Sequence, residues 1–256
     1  MPDKNLDYNI DAAQGFGCFK NDAEAQLLDY VSTVNISCGF HAGDPVLIRE
    51  FLLKCREKNL VIGAHIGFND ISGFGCRPME LSEDEIEAVV LYQLGALTAF
   101  AKSYKLEIEH VRPHGAMYRM AAENFDFALK IVKAVQKFDK WLGYTCLDNA
   151  VLEQIYAETG IAANREVSAD RYYTPQFTPD WDNKKYISDE DVLNRIRTIS
   201  YSSQIKLGNG IFMPVNCDTV HFDAKNPNAV QILKQAYEIL KPSPCAYNKA
   251  LLSGWV

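Results

Sequence analysis

The sequence predicts an α/β fold, a seven-stranded, distorted or incompletely closed (β/α) barrel, and three observations lead there. β-branched and aromatic runs alternate with amphipathic stretches along the 256 residues, the order expected of a parallel sheet with right-handed helical crossovers. Three of those runs deliver a histidine at or near their carboxyl ends, His41, His65 and His114, where barrel enzymes place their chemistry. No G-x-G-x-x-G or P-loop spacing follows the first strand, so an open nucleotide-binding sheet loses support. The length suits one barrel and no linker-like stretch divides it, so residues 1–256 are read as a single domain.

Strand one is expected over residues 8–12, with a helix near 22–31. Strand two, 34–40, is β-branched, aromatic or small, as a strand buried on both faces is. It runs into Cys38-Gly39-Phe40-His41-Ala42-Gly43-Asp44-Pro45, where Asp44 is placed to cap a helix and Pro45 to begin it. That helix turns Leu47, Ile48, Phe51 and Leu52 inward. Strand three, 60–65, leads into a glycine-rich loop, 67–78. Ser82 and Glu85 have the spacing of a capping box, opening a helix with Val89, Leu94, Leu97 and Phe100 on its apolar face. Strands four to seven are expected at 108–114, 141–146, 162–169 and 211–216. Helices fall at 125–138, 149–159, 188–199 and 227–240. A second long loop, 172–181, is aromatic and proline-rich. Both loops follow strands with polar ends and are expected to lie over the site.

The formal net charge is -7, and no Lys/Arg stripe occurs, which excludes nucleic acid and anionic membrane surfaces as partners. No secretory pattern and no apolar run of spanning length is present, so a cytoplasmic protein acting on a small molecule is expected, with a homo-oligomer left open. The seven cysteines are odd in number and lack Cys-x-x-Cys spacing, which fits reduced thiols better than disulfides or a zinc site. Cys38, Cys76 and Cys217 lie beside candidate site residues, and a catalytic thiol stays open as an alternative.

A lone histidine is more often a structural group bonded to a carbonyl than a functional one. Of the five histidines here, three stand at equivalent places in successive strand–helix units, which points to one shared site.

Several motifs recur in a fixed order: Asn9-Ile10-Asp11 with Gly15-Phe16-Gly17, Asn35 to Pro45, Gly63-Ala64-His65 with Gly73-Phe74-Gly75, Pro113-His114-Gly115-Ala116, Ala169-Asp170-Arg171-Tyr172, and Asp218-Thr219-Val220-His221. In this order they resemble the LamB/YcsF family of 5-oxoprolinase A subunits. The resemblance implies a barrel of the glycoside hydrolase/deacetylase type acting on 5-oxoproline or a related lactam, with glutamate as the product. It further implies partner B and C subunits that use ATP to activate the ring amide, since an unstrained lactam is a poor electrophile. ATP would reach this chain only through those partners.

Departures from the family pattern cluster at strand ends. Asn-Cys-Asp-Leu-Gly-Glu is here Asn9-Ile10-Asp11-Ala12-Ala13-Gln14, so an acid has become an amide. Lys-Pro-His-Gly is Arg112-Pro113-His114-Gly115, which keeps the charge and loses the proton shuttle. Arg-Arg after the glycine loop is Cys76-Arg77, Gly-Ala-His-Pro ends in Ile66, and Val-His-Gly-Asp-Thr-Pro-His is matched with residues 215–221.

The leading expectation is an enzyme of lactam or cyclic-amide chemistry whose catalytic residues are Asp11, His41, His65, His114 and Asp170. His65 or His114 would be the general acid/base, and Asp11 would orient it. Asn9, Gln14, Asn35, Arg77, Arg112, Arg171 and Asp218 are expected to bind substrate, with Arg112 and Arg171 on its carboxylate or a developing oxyanion. Asp170 beside Arg171 could equally be a structural pair. In a second reading, drawn from the related deacetylase barrels, Asp11, His41 and His65 hold a divalent metal. Two further alternatives are a stand-alone enzyme acting on another small heterocycle or carboxylate, and a homologue that binds a small acid without turning it over.

Overall fold

The computed structural model describes residues 6–19 and 21–245. Seven parallel strands form a closed ring, the seven-stranded (β/α) barrel expected from the sequence, and of the two forms left open there the ring is closed. They are β1 (Asp7–Ala12), β2 (Thr33–Ser37), β3 (Val61–Ile66), β4 (His110–Pro113), β5 (Gly143–Leu147), β6 (Ala163–Ser168) and β9 (Thr219–Phe222), and β9 pairs with both β6 and β1. Around them run α1 (Asp22–Leu27), α2 (Pro45–Lys58), α3 (Glu83–Ser103), α4 (Gly115–Glu123), α5 (Phe125–Phe138), α6 (Ala150–Thr159), α7 (Asp189–Ser202) and α8 (Ala229–Ile239). The strands β7 (Gln204–Lys206) and β8 (Phe212–Pro214) make a separate antiparallel hairpin.

Local signals account for the helix starts. Asp44 accepts hydrogen bonds from the Val46 and Leu47 amides with Pro45 as the first helical residue, and the Ser82/Glu85 capping box is complete. Two elements fall elsewhere than the sequence suggests. The run near 211–216 supplies β8, whose Phe212 is 49% exposed, while the seventh barrel strand is the fully buried Thr219–Phe222. Its inward Thr219 and His221 interrupt the apolar run that would have marked it. Helix α4 has no start signal in the sequence, because it begins directly after His114 without a side-chain cap. Strand two stops at Ser37, so His41 sits in the following loop rather than at the strand end.

The barrel has two kinds of core. Tyr8, Ile10, Val34, Ile36, Ile62, Val111, Val220 and Phe222 face outward beneath the helices and are buried, each such side chain contributing about 1.5–3 kcal/mol of hydrophobic stabilisation. Alternate residues face the axis, and there the interior is polar. Asp7 accepts from the Ser32, Thr33 and Thr219 hydroxyls at the amino end. Above it Asn9, Asn35 and His110 are linked through Asn35. Gly63 makes room for this layer, since a Cβ there would lie 2.2 Å from His110 Nε2. Among the described residues, no helix is long and apolar enough to cross a membrane.

Candidate active site

At the carboxyl end of the strands a cavity of about 540 Å³ opens, with Asp11, Arg112, Glu166, His114 and His221 among its lining residues. Arg112, from β4, reaches across the barrel. Its Nε and Nη2 donate to the two oxygens of Glu166 on β6 at 2.7 and 2.8 Å, and its Nη1 donates to Asp11 on β1 at 3.1 Å. Tyr118 Oη donates to the same Glu166 at 2.9 Å, and the guanidinium lies 4.7 Å from the Tyr118 ring centre. Burial opposes ionisation of Asp11, but Arg112, His65 and His221 outweigh it and hold the carboxyl well below its ordinary range. Glu166 is likewise lowered against burial by Arg112, and the two acids raise Arg112 further, so all three stay charged.

His65 on β3, His41 in the loop after β2 and His114 at the start of α4 meet beside this ion network. His65 Nδ1 faces the Arg112 carbonyl at 3.1 Å, and His114 Nε2 faces the Phe74 carbonyl at 2.7 Å. A carbonyl only accepts, so each of those nitrogens carries a proton. In neutral rings, the remaining nitrogens, His65 Nε2 and His114 Nδ1, then present two lone pairs to each other at 2.9 Å. Asp11 Oδ2, a third acceptor, stands 3.1 Å from His65 Nε2. His41 stacks on His114 with centroids 3.9 Å apart and planes 9° apart. Burial lowers the proton affinity of all three imidazoles, and the Asp11 carboxylate pulls each of them the other way without overcoming it. Gly75 permits the close approach of the glycine loop, because a Cβ there would lie 2.8 Å from His41 Cβ and 2.9 Å from His114 Cδ2.

These rings do not make a good metal site. The ligand atoms of His41, His65 and His114 lie within 4.8 Å of one another and His41 Nδ1 is buried without a partner. Ligand lone pairs, however, lie in the ring planes, and the stacked planes of His41 and His114 cannot aim at one ion. Tetrahedral zinc also holds its nitrogens about 3.3 Å apart, more than the 2.9 Å between His65 and His114. Asp11, the third expected ligand, is already engaged by Arg112.

The other expected site residues are dispersed. Asn9 and Asn35 lie in the layer below, where Asn35 Nδ2 donates to Asp11 Oδ1 at 3.1 Å. Gln14 is half-buried on the loop after β1, its backbone N–H donating to Glu24 Oε2 at 3.3 Å. Arg77 points outward to Asp70 and Ser72, with its side chain 66% exposed. Arg171 lines the cavity but is paired with Asp223 at 2.5 Å. Asp170 is buried, accepting from the Asp223 amide and Asn226 Nδ2, and burial raises its carboxyl to about 6. Asp218 does not belong to the site. It precedes β9 at the amino end and accepts from the Arg165 amide at 2.9 Å, because the seventh strand begins after it. Cys38 is buried and burial pushes its thiol up, which makes it a poor nucleophile.

Sequence reasoning missed Glu166, Tyr118 and Lys225, all on the cavity wall. Glu166 carries a signal, since Asn164, Glu166 and Ser168 make every second residue of β6 polar. The true position of β9 also moves one family motif. Pro227 precedes α8, so Val-His-Gly-Asp-Thr-Pro-His falls on Phe222-Asp223-Ala224-Lys225-Asn226-Pro227-Asn228 rather than on 215–221.

The LamB/YcsF family model matches residues 6–250. The chain belongs to the LamB/YcsF family. The 5-oxoprolinase A subunit of Pyrococcus abyssi is 34% identical over 239 residues, covering 92% of this chain and 94% of its own. That of Geobacillus kaustophilus is 36% identical over 241 residues, with coverage of 93% and 94%. The crystal structure of a lactam utilization protein from Thermus thermophilus superposes with a TM-score of 0.87 at 32% identity, covering 95% of this chain and 100% of that one. The Xyl-CE4 domain of a multidomain xylanase, at TM-score 0.50 and 10% identity, covering 98% and 93%, shares the fold alone.

Proposed function

We propose that this LamB/YcsF protein is an enzyme that opens the ring of a small lactam or other cyclic amide, in the manner of a 5-oxoprolinase A subunit, with Asp11, His41, His65 and His114 as its working residues. The observation that carries this reading is the histidine pair. Two neutral imidazoles with opposed lone pairs form a base primed for one proton, since that proton converts a repulsive contact into an N–H···N bond beside the Asp11 carboxylate.

In the proposed reaction, partner B and C subunits transfer the terminal phosphoryl group of ATP to the lactam carbonyl oxygen, releasing ADP. Water, its proton passing to the His65–His114 pair, adds to the carbonyl carbon. The C–N bond then breaks, the pair returns the proton to the ring nitrogen, and a second water cleaves the resulting acyl phosphate, leaving an amino acid and inorganic phosphate. Arg112 does not bind the substrate carboxylate, because Asp11 and Glu166 already occupy its donors. Its part is to keep Asp11 ionised beneath the pair. His41 backs the His114 ring by stacking, fixing the plane in which Nδ1 is presented.

A mass-spectrometric screen of lactams and imides, with and without partner subunits and ATP, tests this. A ring-opened product that falls on the order of a hundredfold in His114→Asn is the expected result. No product from any member of the panel would leave small-acid binding as the function.

A further inference from the structure

We propose that Lys225 seats the carboxylate of the substrate, so that the cavity selects a small cyclic molecule bearing one negative charge, an inference that rests on the ring-opening reading for the identity of the ring alone. The cations on the cavity wall are Arg112, Arg119, Arg171, Lys184 and Lys225. Three are already matched with acids: Arg112 with Asp11 and Glu166, Arg119 with Glu123 and Asp182, and Arg171 with Asp223. Among the described residues neither lysine makes an ion pair, although the Lys225 charge helps to hold the Asp223 carboxyl low while Asp223 is bonded to Arg171. Lys184 is exposed and touches no ring. Lys225 is held in place, its Nζ 4.1 Å from the centre of the Phe74 ring.

That perch fixes where an anion would sit. Phe74 meets His114 edge-on, with centroids 4.9 Å apart, and its carbonyl faces His114 Nε2. An anion on the Lys225 ammonium therefore sits one aromatic ring away from His114, in the cavity that His114, Asp11 and His221 also line. One donor on the cavity wall lacks a partner, the buried Nε1 of Trp181, and it can donate to a ring carbonyl.

The same contact couples binding to basicity. The Lys225 charge lowers the proton affinity of His41 and His114, and a bound carboxylate would cancel that field. The base would strengthen when a substrate of the right charge is seated.

The test is equilibrium binding of three probes to the full chain: 5-oxoproline, cyclopentanecarboxylate and pyrrolidin-2-one. The wild type is expected to bind the two carboxylates more tightly than the uncharged lactam. Lys225→Met should weaken both carboxylates by about 10–100-fold, the range for a hydrogen bond to a charged group, and leave pyrrolidin-2-one unchanged, while Lys225→Arg restores most of the loss. Lys225 is exposed, so an unchanged melting curve is expected for both variants. Equal affinity of Lys225→Met and wild type for the carboxylates, or no carboxylate binding by the wild type, overturns the proposal. Lys225-dependent binding of cyclopentanecarboxylate by a protein that opens no lactam would sink only the ring-opening reading.

Discussion

His65 Nε2 stands 2.9 Å from His114 Nδ1 while the far nitrogen of each ring faces a backbone carbonyl. The carbonyls fix both tautomers, and the fixed tautomers leave a gap that accepts one proton and excludes a second. The two rings therefore titrate as a unit.

The first prediction is the pH dependence of turnover. A base must be unprotonated to act, and burial lowers both rings of the pair. Activity should stay level as pH falls through 6.5, the ordinary histidine value, and decline only at lower pH. A rate that already halves at or above pH 6.5 would remove the buried pair as the base.

The second concerns Glu166. It takes two donors of Arg112 and the hydroxyl of Tyr118, so Glu166→Ala leaves a buried guanidinium with half its partners. Removing one member of such a pair costs about 3–5 kcal/mol. Urea unfolding is the check. A loss under about 1 kcal/mol, the size of an exposed pair, would show that the network is hydrated rather than closed.

The third prediction is a pH dependence of folding. Glu24 is buried, with Oε1 unpartnered, and burial raises its carboxyl from 4.5 to about 7. Raising an acid's folded value means the contribution is full below pH 4.5, is lost between 4.5 and 7, and is then constant. The shift corresponds to about 3 kcal/mol. Wild-type stability should fall relative to Glu24→Gln as pH rises across that window. Parallel curves for the two proteins would show that the carboxyl is solvated.

The sequence makes some of this site readable and hides the rest for a physical reason. Asp44-Pro45 and Ser82/Glu85 are legible because capping is decided within three residues. His41, His65 and His114 are legible because strand–helix units repeat their placement. Strand β9 and Glu166 are hidden because an inward polar residue in a polar-cored barrel looks like an interruption of a strand. The pairing that disarms Arg112 as a substrate ligand joins residues 101 positions apart, and only the closed ring brings them together. Lys225 is hidden because the Phe74 ring that it meets belongs to a distant loop, and only the closed ring brings the two segments together.

The last prediction separates two departures from the family pattern. Arg112 stands where the family has lysine, and Asn216 stands where an imidazole was expected. Asn216 is exposed, with only its backbone N–H donating to Asp148, and the corrected position of β9 takes it out of the motif. Asn216→His should leave both stability and turnover unchanged, within about 0.5 kcal/mol for stability. Arg112→Lys should behave differently. A single ammonium cannot span Asp11 and both Glu166 oxygens, so a bidentate contact is lost and a destabilisation of about 1–3 kcal/mol is expected. The amine would also introduce a titrating group beside Asp11, adding an alkaline limb to the rate profile that the wild type, with a permanently charged guanidinium, does not have. Thermal melts and pH profiles of the two single variants decide it: an Arg112→Lys protein as stable as wild type, with no new limb, would show that the bidentate grip on Glu166 is dispensable.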